Sequence, residues 1–171
     1  MRCATSCGVD CIFEAAPRLL LSCSIDLCGT QVSDETVAAM ANVLKQNITL
    51  QSCSIDLSAT HVSDETGAAM AEAFKQNTAL QSCSIDMAEA QVSDETGAAM
   101  AKALKQNTTL LSCSIDLSWC KQVSNETGAA MAEPFKQNTT LQSCSINLRS
   151  CRQGSDETRS VLETAITGKI E

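Results

Sequence analysis

Five cysteines recur at intervals of 30 or 31 residues: Cys23, Cys53, Cys83, Cys113 and Cys144. Thiols at a fixed spacing can ligate a soft metal or take part in redox chemistry. Each of these sits in the same pentapeptide, Ser-Cys-Ser-Ile-Asp, with Asn in place of Asp in the last copy. Repetition alone therefore accounts for the row. On strands about 4.8 Å apart the thiols form a ladder with like orientation, which suits the packing of small apolar groups better than tetrahedral coordination. Cys120 and Cys151 share one turn position in adjacent repeats, where a disulfide is conceivable. Cys3, Cys7 and Cys11 follow an i, i+4, i+8 spacing rather than the C-x-x-C of zinc ribbons. No metal and no other cofactor is expected.

The same repeats carry a row of carboxylates. Asp26, Asp56, Asp86 and Asp116, closed by Asn147, alternate with the cysteines and so belong to the opposite face of each strand. Ser24, Ser54, Ser84, Ser114 and Ser145 lie beside them. Unit charges about 5 Å apart in water repel by roughly 0.8 kcal/mol, so the row is either a solvated face or a docking strip for a basic partner or a cation. Serine and aspartate do not make a hydrolase here, because the one histidine, His61, falls in a turn. The near-identical copies differ most in that turn: Cys28-Gly-Thr-Gln, Ser58-Ala-Thr-His, Ala88-Glu-Ala-Gln, Ser118-Trp-Cys-Lys and Arg149-Ser-Cys-Arg. Tryptophan and arginine are common interface anchors, so Trp119, Arg149 and Arg152 join the four aspartates as candidate partner-binding residues.

Composition narrows the partner. The 171 residues carry 12 Lys+Arg against 20 Asp+Glu, a net charge of -8, which disfavours nucleic-acid binding through phosphate neutralisation and docking on anionic lipid. No apolar run reaches the roughly 18 residues of a membrane span, and Asp10, Glu14 and Arg18 interrupt any signal-peptide core. A cytoplasmic protein with reduced cysteines is the expectation. Aromatic residues make up only 2% of the chain, so aliphatic and small side chains must fill the core.

These residues are positioned by a repeat with two periods. Leu50-Gln-Ser-Cys-Ser-Ile-Asp-Leu recurs from Leu80, Leu110 and Leu141, with an earlier copy from Leu20, and residues 51–80 and 81–110 are identical at 22 of 30 positions. Cys53, Ile55 and Leu57 alternate with polar residues, the pattern of a short strand with one apolar face. Ser63 then offers an N-cap, Asp64 and Glu65 suit the positive end of a helix dipole, and Met70 and Phe74 stand one turn apart. Lys75 suits the helix C-terminus, and Asn77 is predicted to end the helix in the left-handed conformation. One strand and one helix per repeat cannot bury their own faces, so the copies must stack. The array runs over 20–49, 50–79, 80–109, 110–140 and 141–171, after a segment 1–19 that reads as a partial repeat or weak cap.

The repeat resembles the ribonuclease-inhibitor type of leucine-rich repeat. Ile55-Asp-Leu57 matches the family's L-x-L core, Thr60 stands at its Asn/Cys position and Val62 at its last Leu, and Ser63 to Asn77 matches its helix. Such repeats occur in NOD-like receptors, tropomodulins and Ran GTPase-activating proteins. The resemblance implies an α/β solenoid with a parallel sheet on the concave face and helices on the convex face, and in most cases protein binding.

This sequence departs from the family at several points. Ser22, Ser52, Ser82, Ser112 and Ser143 replace the first Leu, which Leu50 and Cys53 would offset by lengthening the strand. Thr30, Thr60, Ala90, Cys120 and Cys151 replace the Asn ladder, predicting softer turns. Pro134 predicts a kink or an early end to the fourth helix. Ser155 to Ile166 reads as a final, more polar helix with an Arg159–Glu163 pair, able to act as a cap.

The functional reading is a non-catalytic scaffold that binds a protein, basic in character, through the concave face and adjoining turns. End-to-end association or membership of a longer array accompanies it. The alternative is a GTPase-activating regulator resembling the Ran regulators, against which stands the lack of Arg in the first three turns.

Overall fold

In a computed structural model, which describes residues 20–151, strands and helices alternate along the chain. The strands are β1 (Ser22–Asp26), β2 (Ser52–Asp56), β3 (Ser82–Asp86), β4 (Ser112–Asp116) and β5 (Ser143–Asn147). Between them lie α1 (Asp34–Gln46), α2 (Asp64–Gln76), α3 (Asp94–Gln106) and α4 (Asn125–Gln137). The strands form one parallel sheet in the order β1-β2-β3-β4-β5, and each pairs with the next in strict repeat register, so that Cys53 faces Cys23 and Cys83. The helices pack side by side as a second layer. This is the predicted α/β leucine-rich-repeat solenoid. The Cys3, Cys7 and Cys11 cluster, Pro17, Arg152, and the final helix with its Arg159–Glu163 pair lie outside the described residues.

The core sits between the two layers. From the sheet come Cys53, Ile55 and Leu57 and their equivalents, and from the helices Met70, Ala71 and Phe74 and theirs. Burying a Leu, Met or Phe contributes about 1.5–3 kcal/mol each, so a core almost free of aromatic rings still holds. Leu50 and Leu80 are buried too, but they precede their strands. The strand is not lengthened toward them. Instead the amides of Gln51 and Ser52 both donate to the Leu21 carbonyl, which turns the chain into the ladder at Ser52.

Two lateral hydrogen-bond systems bind each repeat to the one before. At the helix N-termini, Asp34 accepts from the Ser63 amide and hydroxyl and from the Thr66 hydroxyl at 2.6–2.9 Å. Asp64 does the same for Ser93 and Thr96, and Asp94 for Ser124 and Thr127. Burial raises these three carboxyls, but the hydroxyl and amide donors outweigh it and leave each below the ordinary value of 3.8. An acid held low in the folded state contributes stability above its unfolded pKa, and that contribution is lost as pH falls through the folded value. Thermal unfolding followed across pH is therefore expected to show stability falling below about pH 4. Asp94→Ala should flatten part of that fall, and an unchanged pH profile would contradict the assignment.

At the helix C-termini the second system overturns an expectation. Asn47, Asn77, Asn107 and Asn138 end their helices with φ between -68 and -77°, extended and not left-handed. The reason lies in their side chains. Asn77 Oδ1 accepts from the amides of Ala79 and Leu80, while its Nδ2 donates to the carbonyls of Leu44 and Asn47 in the preceding repeat. The ends of α1, α2 and α3 are thus satisfied by the side-chain amide of the Asn in the following repeat, and no left-handed residue is needed there. Pro134 brings no early end either: α4 keeps the same 13 residues as its neighbours. Its last turn is held by Phe135 in the core, by the Asn138 amide on the Pro134 carbonyl, and by Asn138 Nδ2 on the Leu104 and Asn107 carbonyls.

The turn after each strand has one residue in the left-handed region: Gly29, Ala59, Glu89, Trp119 and Ser150, with φ of 54–65°. Only the first is glycine. A side chain in that conformation costs roughly 1–2 kcal/mol, partly offset by the chain entropy that glycine loses. Glu89 is exposed and its amide bonds the Ser118 carbonyl, a contact glycine retains. Glu89→Gly is therefore expected to raise stability by about 0.5–1 kcal/mol, read as a higher urea midpoint. A lower midpoint would show that the carboxylate itself stabilises the turn.

Candidate functional site

The face of the sheet turned away from the helices carries Ser24, Ser54, Ser84 and Ser114, and at the strand ends Asp26, Asp56, Asp86 and Asp116 in register with Asn147. The carboxylates are not free to swing. Oδ1 of each accepts the backbone amide two residues on, from Cys28, Ser58, Ala88 and Ser118 at 2.8–3.0 Å. Asn147 repeats the bond to the Arg149 amide and donates its Nδ2 to Asp116 Oδ2 at 2.8 Å. One oxygen of each aspartate thus shapes the turn. This local aspartate-to-amide bond was not foreseen, although an acidic residue ending each strand two positions before the turn is its sequence signal. Asp86, in the middle of the row, has its carboxyl raised by burial and by the charges of Asp116 and Asp56, against the lowering bond from the Ala88 amide. The row is a shared negative field on a half-buried edge.

The turns border this row. Trp119 occupies the left-handed position of the fourth turn, and 55% of its surface is exposed. Its amide donates to the Arg149 carbonyl, which seats Arg149 in the next turn beside it. Lys121 and Gln122, around the extra residue of this repeat, are also exposed. Asp116, Trp119 and Arg149 are thus brought together at one end of the row, with Asp26 at the other.

The thiols belong to the interior. Cys53, Cys83, Cys113 and Cys144 are buried, and Cys83 Sγ lies 3.3 Å from Cys113 Sγ. Burial, with the neighbouring Cys23, pushes the Cys53 thiol up to about 12. A bond with Cys144 lowers Cys113, but the contact with Cys83 and burial prevail and hold it well above the usual thiol value. Such thiols are poor nucleophiles. Cys120 and Cys151 are free thiols. Their Sγ atoms lie 3.2 and 3.0 Å from the Met87 and Leu117 carbonyls, one repeat back. Thr30 and Thr60, at the same position, donate to the Leu27 and Leu57 carbonyls of their own turns. His61 Nδ1 meets Gln91 Nε2 on the surface. Among the described residues no three His, Cys, Asp or Glu side chains gather as a metal-binding group, and no helix is long and apolar enough to cross a membrane.

Two solved structures share this arrangement. One is the actin-binding site 2 of leiomodin-1, with a TM-score of 0.65 and 18% identity, covering 86% of this chain and 80% of that one. The other is the C-terminal domain of tropomodulin from Caenorhabditis elegans, with a TM-score of 0.66 and 15% identity, covering 88% of this chain and 84% of that one. No protein-family model and no curated protein matches the sequence. At these identities the likeness is one of fold, and the fold is that of leucine-rich-repeat domains.

Proposed function

We propose that this chain is a non-catalytic scaffold that binds a protein partner through the outer face of its sheet and the turns that border it. The binding residues are Asp26, Asp56, Asp86 and Asp116, with Trp119 and Arg149 at the rim; Arg152, outside the described residues, completes the set. The observation that carries the reading is the exposed Trp119, held beside an acidic row at the left-handed position of its turn. Tryptophan and arginine are among the residues enriched at interface hot spots. The chemistry of the row favours a partner with a basic patch, in the cytoplasm. The leiomodin-1 structure is named for actin binding, which makes actin the first partner to test.

The chain holds a single tryptophan, so 5-fluorotryptophan labelling gives one fluorine signal that reports on this surface. Titration with actin, and then with other candidate proteins, is expected to shift that signal when the correct partner is added. Trp119→Ser should weaken binding by tenfold or more, about 1.4 kcal/mol. Asp56→Asn with Asp86→Asn should weaken it less and reduce its salt dependence. Asparagine keeps the bond to the turn amide, as Asn147 does, so the fold is retained. A partner whose affinity is untouched by all three changes would exclude this surface.

A further inference from the structure

The left-handed positions of the five turns form a row of their own. The ladder continues past the strands: the Glu89 amide donates to the Ser118 carbonyl and the Trp119 amide to the Arg149 carbonyl, both at 2.9 Å. Glu89 therefore stands beside Trp119, with their backbones about 4.8 Å apart. Gly29, Ala59 and Ser150, at the other positions of the row, are small. The two large side chains are thus neighbours, and both are exposed. Each costs stability in this conformation. The fold does not hold the Glu89 side chain, whose carboxylate has no hydrogen-bond or ion-pair partner among the described residues. Asp86, three residues earlier in the same turn, uses Oδ1 for the Ala88 amide. Its Oδ2 accepts no hydrogen bond among the described residues, whereas the Oδ2 of Asp116 takes Asn147. Burial and the charges of Asp116 and Asp56 raise the Asp86 carboxyl against the bond from the Ala88 amide, and a cation placed here would act in the opposite sense.

We propose that Glu89, Asp86 and Trp119 form the seat of one arginine side chain of the protein partner, its guanidinium stacked on the indole and donating to the two carboxylates. This rests on the scaffold reading above and names the chemistry that its surface selects. Three features choose this occupant. An exposed aromatic ring beside carboxylates suits a cation, because the ring face attracts positive charge and the carboxylates accept its hydrogen bonds. A guanidinium fits better than an ammonium: it is planar, more weakly hydrated, and presents a fork of donors while its face lies on a ring. Finally, the charges have a direction. Lys121 follows Trp119 in the fourth turn and Arg149 stands in the fifth, both exposed, so the cation is repelled from that side and drawn to the third turn. Glu89 is then a specificity-determining residue, and its left-handed conformation trades stability for binding.

The test follows the fluorine signal of the full chain labelled with 5-fluorotryptophan while a capped pentapeptide is added, glycine throughout except at its centre. With arginine at the centre the signal is expected to shift. Half-saturation should fall roughly fivefold below that of a peptide centred on citrulline, which is neutral and close in shape. It should fall about twofold below that of a lysine-centred peptide. Glu89→Gln should reduce the preference for arginine over citrulline to less than about twofold. Glu89→Gly should do the same, and since this variant is expected to be the more stable protein, unfolding cannot account for the loss. No shift with the arginine peptide would overturn the proposal. So would equal half-saturation for arginine and citrulline, or for arginine and lysine, or a preference that survives Glu89→Gln. Tighter binding of a glutamate-centred peptide would also overturn it, by placing the ligand on Lys121 and Arg149. The scaffold reading fails separately: a protein partner that is lost with Trp119→Ser but unaffected by Glu89→Gln removes the arginine seat and leaves the binding surface in place.

Discussion

Asn107→Ala is expected to lower stability by roughly 3 kcal/mol. The side chain is buried between the second and third repeats. Its Nδ2 donates to the Phe74 carbonyl at 2.7 Å and, more weakly, to the Asn77 carbonyl at 3.4 Å. Its Oδ1 accepts the Thr109 and Leu110 amides at 2.8 and 2.7 Å. Alanine removes all of these at once. Phe74 O and the Leu110 amide are left with little access to water, and each buried polar group without a partner costs about 1–3 kcal/mol. Water at the half-buried Thr109 offsets part of the rest.

Asn47→Ala is the internal control. Asn47 makes the same local bonds to the Thr49 and Leu50 amides but reaches no preceding carbonyl among the described residues, so its loss should be smaller by half or more. Urea unfolding of the two variants decides the matter. Equal losses would mean that the local cap, and not the link between repeats, is what asparagine supplies. A smaller loss at Asn107 than at Asn47 would remove this system from the account of stability.

The sequence made the repeat legible for a simple reason. Periods of two and 3.6 are local, and they survive in every copy: Cys53, Ile55 and Leu57 on one face of a strand, Ser63 at the N-cap, Met70 and Phe74 on one stripe. The lateral systems join residues 29–34 positions apart. In an array of near-copies every letter recurs at that distance, so recurrence did not distinguish Asp64 as a bridge from Asp64 as a dipole partner, nor Asn77 as a bridge from Asn77 as a turn former. The left-handed turn position was hidden for another reason. Ala59, Glu89, Trp119 and Ser150 are not residues that favour it, and Gly29 in the first copy was the one clue. The candidate surface was legible as a row of acids and a lone tryptophan. That each aspartate also ties down its own turn depends on side-chain geometry and could not be read from spacing. Some clues were in plain view. Glycine early in a helix costs about 1 kcal/mol relative to alanine, yet Gly67, Gly97 and Gly128 recur at one position where α1 has Val37.

Close approach between helices explains Gly67 and Gly97 and sets the last expected result. A Cβ on Gly97 would lie 2.4 Å from Thr127 Oγ1, 2.5 Å from its Cγ2 and 2.9 Å from its Cβ. Thr127 cannot turn aside freely, because it is buried and its hydroxyl is bonded to Asp94 at 2.6 Å. Gly97→Ala gains about 1 kcal/mol of helix propensity. Against this stand about 1–3 kcal/mol for overpacking and about 1.5–3 kcal/mol if the bond to the carboxylate breaks. The costs prevail, and a net loss of roughly 2–3 kcal/mol is expected. Thr127→Ala removes the two nearest atoms, so adding Gly97→Ala to that variant should cost far less than in the unaltered chain. The cycle of four proteins, compared by urea unfolding, then yields a coupling of at least about 1 kcal/mol. Additive losses would mean that the helix layer relaxes around the new methyl group. It does accommodate Val37, which is fully buried at the equivalent position of α1. Glycine at 67 and 97 would in that case set no limit on how closely successive repeats stack.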